Sequence, residues 1–124
     1  MKTWARSHLG SIGKAEELQI ASLRSDGAYT KPVTIWVVCV GDDLFIRSVN
    51  GRTSAWFRGV LTRLEGRISA GGIETEVIFS DADPNLNEAI DAAYRAKYHR
   101  YEASIVDSIV SPEARSATIR LMPH

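Results

Sequence analysis

Apolar and polar positions divide the chain into short runs of strand period, with stretches of helical period set among them. The run Val33-Thr34-Ile35-Trp36-Val37-Val38-Cys39-Val40 is apolar on both faces, so protein must cover both, and it reads as a central strand. Gly41-Asp42-Asp43 turns the chain into residues 44–48, whose alternation makes them the antiparallel hairpin partner. Asn50-Gly51 ends the ladder. Thr53 or Ser54 then supplies an oxygen to cap a helix that opens Ala55-Trp56-Phe57-Arg58 and continues to about Leu61 or Leu64.

On the N-terminal side, Trp4, Leu9 and Ile12 have helical spacing, but Gly10 and Gly13 make residues 4–15 a short, poor helix. Leu18, Ile20 and Ser22 alternate with their neighbours up to the turn Ser25-Asp26-Gly27 and predict a strand; the Ala, Glu and Leu content of residues 15–23 leaves helix as the alternative. Further on, residues 65–70 and 73–79 flank the tight turn Gly71-Gly72 and form a hairpin, with Ile73, Thr75, Val77 and Phe79 on one face. Asp83-Pro84 is a cap followed by proline at the first helical position, and starts a helix to about His99. Along it Leu86, Ile90, Ala93, Tyr94, Lys97 and Tyr101 form one stripe, which puts a lysine inside an apolar face where it must snorkel out or meet an anion. A short segment with Ile105, Ile109, Val110 and Pro112 leads to a final alternating strand over residues 117–122. Six short strands, mostly in hairpins, with two helices predict a mainly β fold with flanking helices (α+β), a six-stranded antiparallel barrel, against the alternative of an open α+β sandwich.

Composition narrows the classes. With 124 residues, 44% of them hydrophobic, the expectation is one domain over residues 1–124 with a real core. Fifteen basic and fifteen acidic residues leave no net field to attract nucleic acid or a membrane surface. Cys39 is the only cysteine, which excludes an internal disulfide and fits a reduced intracellular thiol. No apolar run reaches membrane-spanning length and Met1-Lys2-Thr3-Trp4 does not open a signal peptide, so a cytoplasmic protein is expected.

Candidate chemistry concentrates between residues 47 and 63, where Arg47, Arg52, Arg58 and Arg63 surround a helix start. Helix N-termini favour negative charge, so an arginine there implies an anion such as a phosphate or carboxylate. Ser48, Thr53 and Ser54 add hydroxyl donors, and Trp56 or Trp36 can stack on a planar ring. The competing interpretation is that the arginines are solvated or paired with Glu65, Asp42 and Asp43 and that both tryptophans are core. Tyr94, Lys97 and Tyr98 form a second group one turn apart, offering a proton donor and a cation; packing is the commoner use of such tyrosines, and Lys97 is the member most suited to function. His8, His99 and His124 have no ligand spacing, so no metal site is expected.

Arg24-Ser25-Asp26-Gly27, Pro32-Val33-Thr34-Ile35-Trp36-Val37-Val38, Gly41-Asp42-Asp43-Leu44-Phe45-Ile46-Arg47-Ser48, Ser54-Ala55-Trp56-Phe57-Arg58, the run from Ile90 through Tyr98 and Ala117-Thr118-Ile119-Arg120-Leu121 together closely resemble an uncharacterised bacterial family, domain of unknown function 2255. More distantly, the order of strands and the segment Arg47-Ser48-Val49-Asn50-Gly51-Arg52-Thr53-Ser54-Ala55-Trp56 resemble the split β-barrel proteins that bind flavin mononucleotide or a deazaflavin, including the pyridoxamine phosphate oxidase-like proteins and deazaflavin-dependent nitroreductases. The chain departs from the latter at Gly59-Val60, where they usually carry Asn-Leu. The resemblance implies a split barrel of the flavin mononucleotide-binding type, a homodimer, and a small-molecule oxidoreductase holding the cofactor through Arg47, Ser48, Arg52, Ser54 and Arg58 with Trp56 near the ring. Two readings from other classes compete with it. One is a cofactor-free isomerase- or cyclase-like barrel for a small anionic or aromatic metabolite, with Lys97 and Tyr94 as catalytic acid–base groups; the other is a structural, partner-binding domain.

Overall fold

The computed structural model describes residues 3–124. Helix α1 (Arg6–Lys14) precedes strand β1 (Leu18–Ser22), so the strand expectation for this segment holds and the helical alternative does not. Strands β2 (Val33–Ile35), β3 (Val37–Val40) and β4 (Asp43–Arg47) lead through a turn of 3-10 helix (Gly51–Thr53) into α2 (Ala55–Arg63). The hairpin β5 (Glu65–Ala70) and β6 (Ile73–Asp81) follows, then α3 (Asn87–Lys97), α4 (Ala103–Ile109), α5 (Pro112–Ser116) and β7 (Thr118–Pro123).

All neighbouring strands are antiparallel and run in the order β2-β1-β5-β6-β7-β4-β3. The two halves of the 33–40 run therefore occupy opposite edges of one sheet. Val33 pairs with Ile20 and Ile35 with Leu18, whereas Val37 pairs with Ile46 and Val40 with Asp43. Only Trp36 lies between the halves, so the sheet must curl until its edges meet there, which makes it a nearly closed barrel. The predicted central strand is thus the closing strand. The physical reason for the difference is that a strand covered on both faces has the same apolar pattern whether it lies mid-sheet or joins two edges. Splitting it also accounts for seven strands where six were expected.

Alternation along each strand separates two cores. Leu18, Ile20, Val37, Leu44, Ile46, Ile68, Val77, Phe79, Ile119 and Leu121 belong to the larger cluster, together with Ile12 of α1 and Phe57 and Val60 of α2. Val38 and Phe45, one residue out of phase with Val37 and Leu44, pack on the opposite face under Ile90 and Tyr94 of α3, Tyr98 at its C-cap, and Val106 and Ile109 of α4. Gly66 permits the close pairing of β5 with β1, since a Cβ there would lie 2.1 Å from the Ala21 carbonyl oxygen. Cys39, expected inside the barrel wall, is instead exposed near the end of β3.

The long segment before β7 is more helical than its composition suggested. Ser111 accepts a hydrogen bond from the Ala114 amide ahead of Pro112 and starts α5. Asp83 does the same for Asn85, but the expected helix begins as a 3-10 turn (Pro84–Leu86) before α3. No helix among the described residues is long and apolar enough to cross a membrane.

Candidate functional site

A cleft of about 410 Å³ opens where the closing strand breaks. Val33, Thr34, Ile35 and Trp36 form one wall; Ser48, Val49 and Asn50 after β4, Trp56 of α2 and Ile105 and Ile109 of α4 form the rest. Trp36 is held by a stack on Tyr98, with ring centroids 3.8 Å apart and planes within 4°. That stack depends on the barrel's split. The Tyr98 hydroxyl accepts from the Val37 amide at 3.3 Å and lies 3.2 Å from the Val37 carbonyl oxygen and 2.9 Å from that of Glu16. The phenol accepts from the Val37 amide, and with Lys97 Nζ on the Val37 carbonyl the backbone groups left by the change of partner strand are satisfied.

Arg47 borders the cleft but is committed elsewhere. Its side chain is completely buried. Nε donates to Thr118 Oγ1 at 2.9 Å, Nη1 to Asp91 Oδ1 at 2.5 Å and to the Ile109 carbonyl at 3.1 Å, and Nη2 to the carbonyl and Oδ1 of Asn87, both at 3.3 Å. A guanidinium has five N–H donors, and protein groups take all of them. Asp91 also accepts from Arg115 through Nε at 2.9 Å and through Nη2. Burial pushes the Asp91 acid up, but the hydrogen bonds from Arg115 and Arg47 outweigh it and hold its pKa below the ordinary carboxylate value. This Arg-Asp-Arg cluster fastens β4 to α3 and to the α4–α5 segment behind the cleft.

The remaining members of the expected anion corner are dispersed. Ser48 and Ser54 do meet, with hydroxyl oxygens 2.8 Å apart. Ser54 occupies the N-cap position of α2 yet makes no side-chain cap, so the capping expected of Thr53 or Ser54 is absent and, among the described residues, the first amides of α2 have no side-chain acceptor. The Ser48 hydroxyl has drawn the cap away. Arg52 turns from the cleft to Asp81 at 3.2 Å and the Ser116 carbonyl at 2.7 Å, and its guanidinium lies over the Phe57 ring. Arg58 and Arg63 are exposed on α2. The anticipated acidic partners Glu65, Asp42 and Asp43 do not hold these arginines; Asp43 lies 3.9 Å from Arg120 instead.

Tyr94 and Lys97 lie on α3 and Tyr98 caps its C-terminal end, but the three do not share one cavity. Tyr94 is fully buried, its hydroxyl has no hydrogen-bond partner, and desolvation raises its pKa far above the ordinary value. Lys97 is half-buried, donates to the Val37 carbonyl at 2.6 Å, and lines a groove on the other side of α3 with Cys39. No group of three or more His, Cys, Asp or Glu side chains among the described residues could hold a metal ion. Sequence reading missed Asp91 and Asn87, which organise Arg47, and Ile105 and Ile109, which complete the cleft. Ile105 and Ile109, four residues apart, were the one signal available for the last pair.

The sequence profile of a family described as "Uncharacterized protein conserved in bacteria (DUF2255)" matches residues 8–121. The chain belongs to that family. Among solved structures, the DUF2255 chain is similar to a candidate pyridoxamine 5′-phosphate oxidase from Listeria innocua, at 15% identity over 95% of this chain and 91% of that one, with a TM-score of 0.66. It is also similar to HutZ, a heme storage protein from Vibrio cholerae (12% identity, 99% and 92% covered, TM-score 0.63), and to an F420 reductase (14%, 93% and 91%, TM-score 0.59). At these identities the likeness is one of fold, and the DUF2255 barrel is a split barrel. A comparison with curated proteins finds no match.

Proposed function

We propose that this split-barrel protein binds a flavin-type cofactor, flavin mononucleotide or a deazaflavin, in the cleft beside Trp36 and serves as a small-molecule oxidoreductase. The observation that carries the reading is the cleft itself: two tryptophans stand at a break in the barrel wall, next to the Ser48 and Asn50 polar groups and the uncapped start of α2. Its volume lies in the range of cofactor pockets, and the mixture of flat apolar walls with few polar groups suits a planar ring carrying an anionic tail. Ser48, Ser54 and the first amides of α2 are the donors for that tail. Arg58, exposed on the first turn of α2, can meet a phosphate leaving the cleft, while Arg47 shapes the wall because its donors are already taken. Bound there, a flavin or deazaflavin would supply hydride chemistry, and the protein its orientation and electrostatic setting.

Two structural neighbours bear names that fit this reading, a pyridoxamine 5′-phosphate oxidase and an F420 reductase. A haem-binding reading, suggested by the name of a third, is less well supported: the residues lining the cleft include no His, Cys, Met or Tyr to serve as an axial ligand. Val49 and Ile105, 44% and 45% exposed, lie at the cleft mouth, which favours a second copy of the chain covering it in a homodimer.

An absorbance spectrum of freshly purified protein, followed by titration with flavin mononucleotide and with a deazaflavin, tests the proposal. Micromolar binding with quenching of tryptophan fluorescence is expected, and Trp56→Ala should weaken it by about tenfold, equivalent to about 1.4 kcal/mol. Failure of both cofactors to bind at micromolar concentration overturns it.

A further inference from the structure

A second cavity lies away from the cleft, in a groove of about 500 Å³ between α1 and α3 with β3 as its floor. Gly13, Ala93 and Ala96 make its walls shallow, Val38 and Cys39 form the floor, and Lys14 and Lys97 are its charged groups. No carboxylate lines it: Asp42 and Asp43 act on Cys39, and Glu16 on Lys97, from outside the lining, so the charges within the groove are the two lysines.

We propose that Lys97 is a carbonyl-condensing amine, forming a reversible imine with small anionic aldehydes that enter this groove. This assignment is independent of the cofactor reading. Lys97 Nζ has one hydrogen bond, to the Val37 carbonyl at 2.6 Å. The same carbonyl lies 3.2 Å from the Tyr98 hydroxyl, whose single proton can turn to it from the Glu16 carbonyl when the lysine withdraws. No salt bridge ties Lys97 down among the described residues, and Lys14 stands on the facing helix to attract the anionic end of the ligand.

The groups facing Lys97 are Lys14 from α1, Glu16 beyond it, Cys39 from β3 and Tyr98 at the C-cap of its own helix. Desolvation lowers the Lys97 pKa to about 8 against the opposing pull of Glu16 and of Cys39. A large share of free amine is then present at mildly alkaline pH. The amine lone pair attacks the aldehyde carbon, the carbinolamine loses water, and the C=O double bond is replaced by C=N with no oxidant or reductant needed. The protonated imine keeps one positive charge on Nζ.

Glyoxylate, the smallest anionic aldehyde of suitable form, is the probe. The full chain is incubated with it, trapped with borohydride, digested, and carboxymethyl-lysine is located by mass spectrometry. Lys97 should react at least tenfold faster than Lys31, with a rate that rises through a titration centred near pH 8. Lys14→Gln, a surface change, should slow the reaction of Lys97 with glyoxylate several-fold and leave its reaction with neutral propanal unaltered. Labelling of Lys97 no faster than Lys31 overturns the proposal, and an unchanged glyoxylate rate in Lys14→Gln overturns the assignment to anionic aldehydes.

Discussion

Replacing Asp91 by asparagine keeps the size of the side chain and removes the charge that two arginines share. Arg47 is fully enclosed, while the Arg115 side chain is 41% exposed. In either orientation an amide presents its NH2 group to one guanidinium, and the buried Arg47 charge loses its counter-ion. Breaking a buried pair from one side costs about 3–5 kcal/mol. With a urea slope of about 2 kcal/mol/M, the unfolding midpoint should fall by roughly 1.5–2.5 M. Arg115→Ala removes a charge that water already reaches and should shift the midpoint far less than Asp91→Asn does. The pH dependence has a definite sign. Asp91 has a depressed pKa in the folded state, so its contribution is fully present above the ordinary carboxylate value and is lost as pH falls through the folded-state value. The difference between wild type and Asp91→Asn should therefore be flat from neutral pH to about pH 5 and shrink at lower pH. An Asp91→Asn midpoint within 0.5 M of wild type at pH 7 would refute the claim that this cluster holds the cleft wall.

Three further substitutions test other parts of the fold. Tyr98→Phe deletes the only hydroxyl that serves the Val37 amide and should lower stability by about 1–3 kcal/mol, read from chemical denaturation, with the near-ultraviolet signal of Trp36 altered because its stacking partner is no longer anchored. Gly66→Ala drives a Cβ to 2.1 Å from a backbone oxygen and 2.8 Å from the Phe79 ring, so about 3 kcal/mol or more should be lost and thermal unfolding should show it. Leu64 holds a left-handed conformation (φ 60°) at the end of α2 with its side chain exposed, so Leu64→Gly should stabilise by about 0.5–1 kcal/mol and raise the urea midpoint.

Much of the strand pattern was legible because alternation is local: residues 18–22, 65–70 and 73–79 each display it within a few positions. What escaped depends on distant partners. Nothing near Arg47 points to Asp91, 44 positions away on the helix that covers β4, and an arginine beside serines looks the same whether it awaits a phosphate or is already satisfied. Ser111-Pro112 has the cap-then-proline form that made Asp83-Pro84 readable, and it does begin α5; that helix is only five residues long, too short for periodicity to register. The lysine within an apolar stripe was visible from spacing alone, but its position beside a second groove follows from how α1 and α3 straddle β3.

The residue that separates the two halves of the closing strand also governs the order in which this molecule can assemble. Ile35 and Val37 are two positions apart in sequence, yet their ladder partners, Leu18 and Ile46, stand on the second and sixth strands of a seven-member array. Each half can zip to its own neighbour locally, Val33–Ile35 onto β1 and Val37–Val40 onto β4, but both ladders can stand together only after the intervening strands have formed and bent round. Such non-local closure places the main kinetic barrier late and makes folding slow for a chain of this length. The same seam is the natural place for the finished molecule to breathe, since parting it there breaks two short ladders and leaves the five strands from β1 to β4 in register.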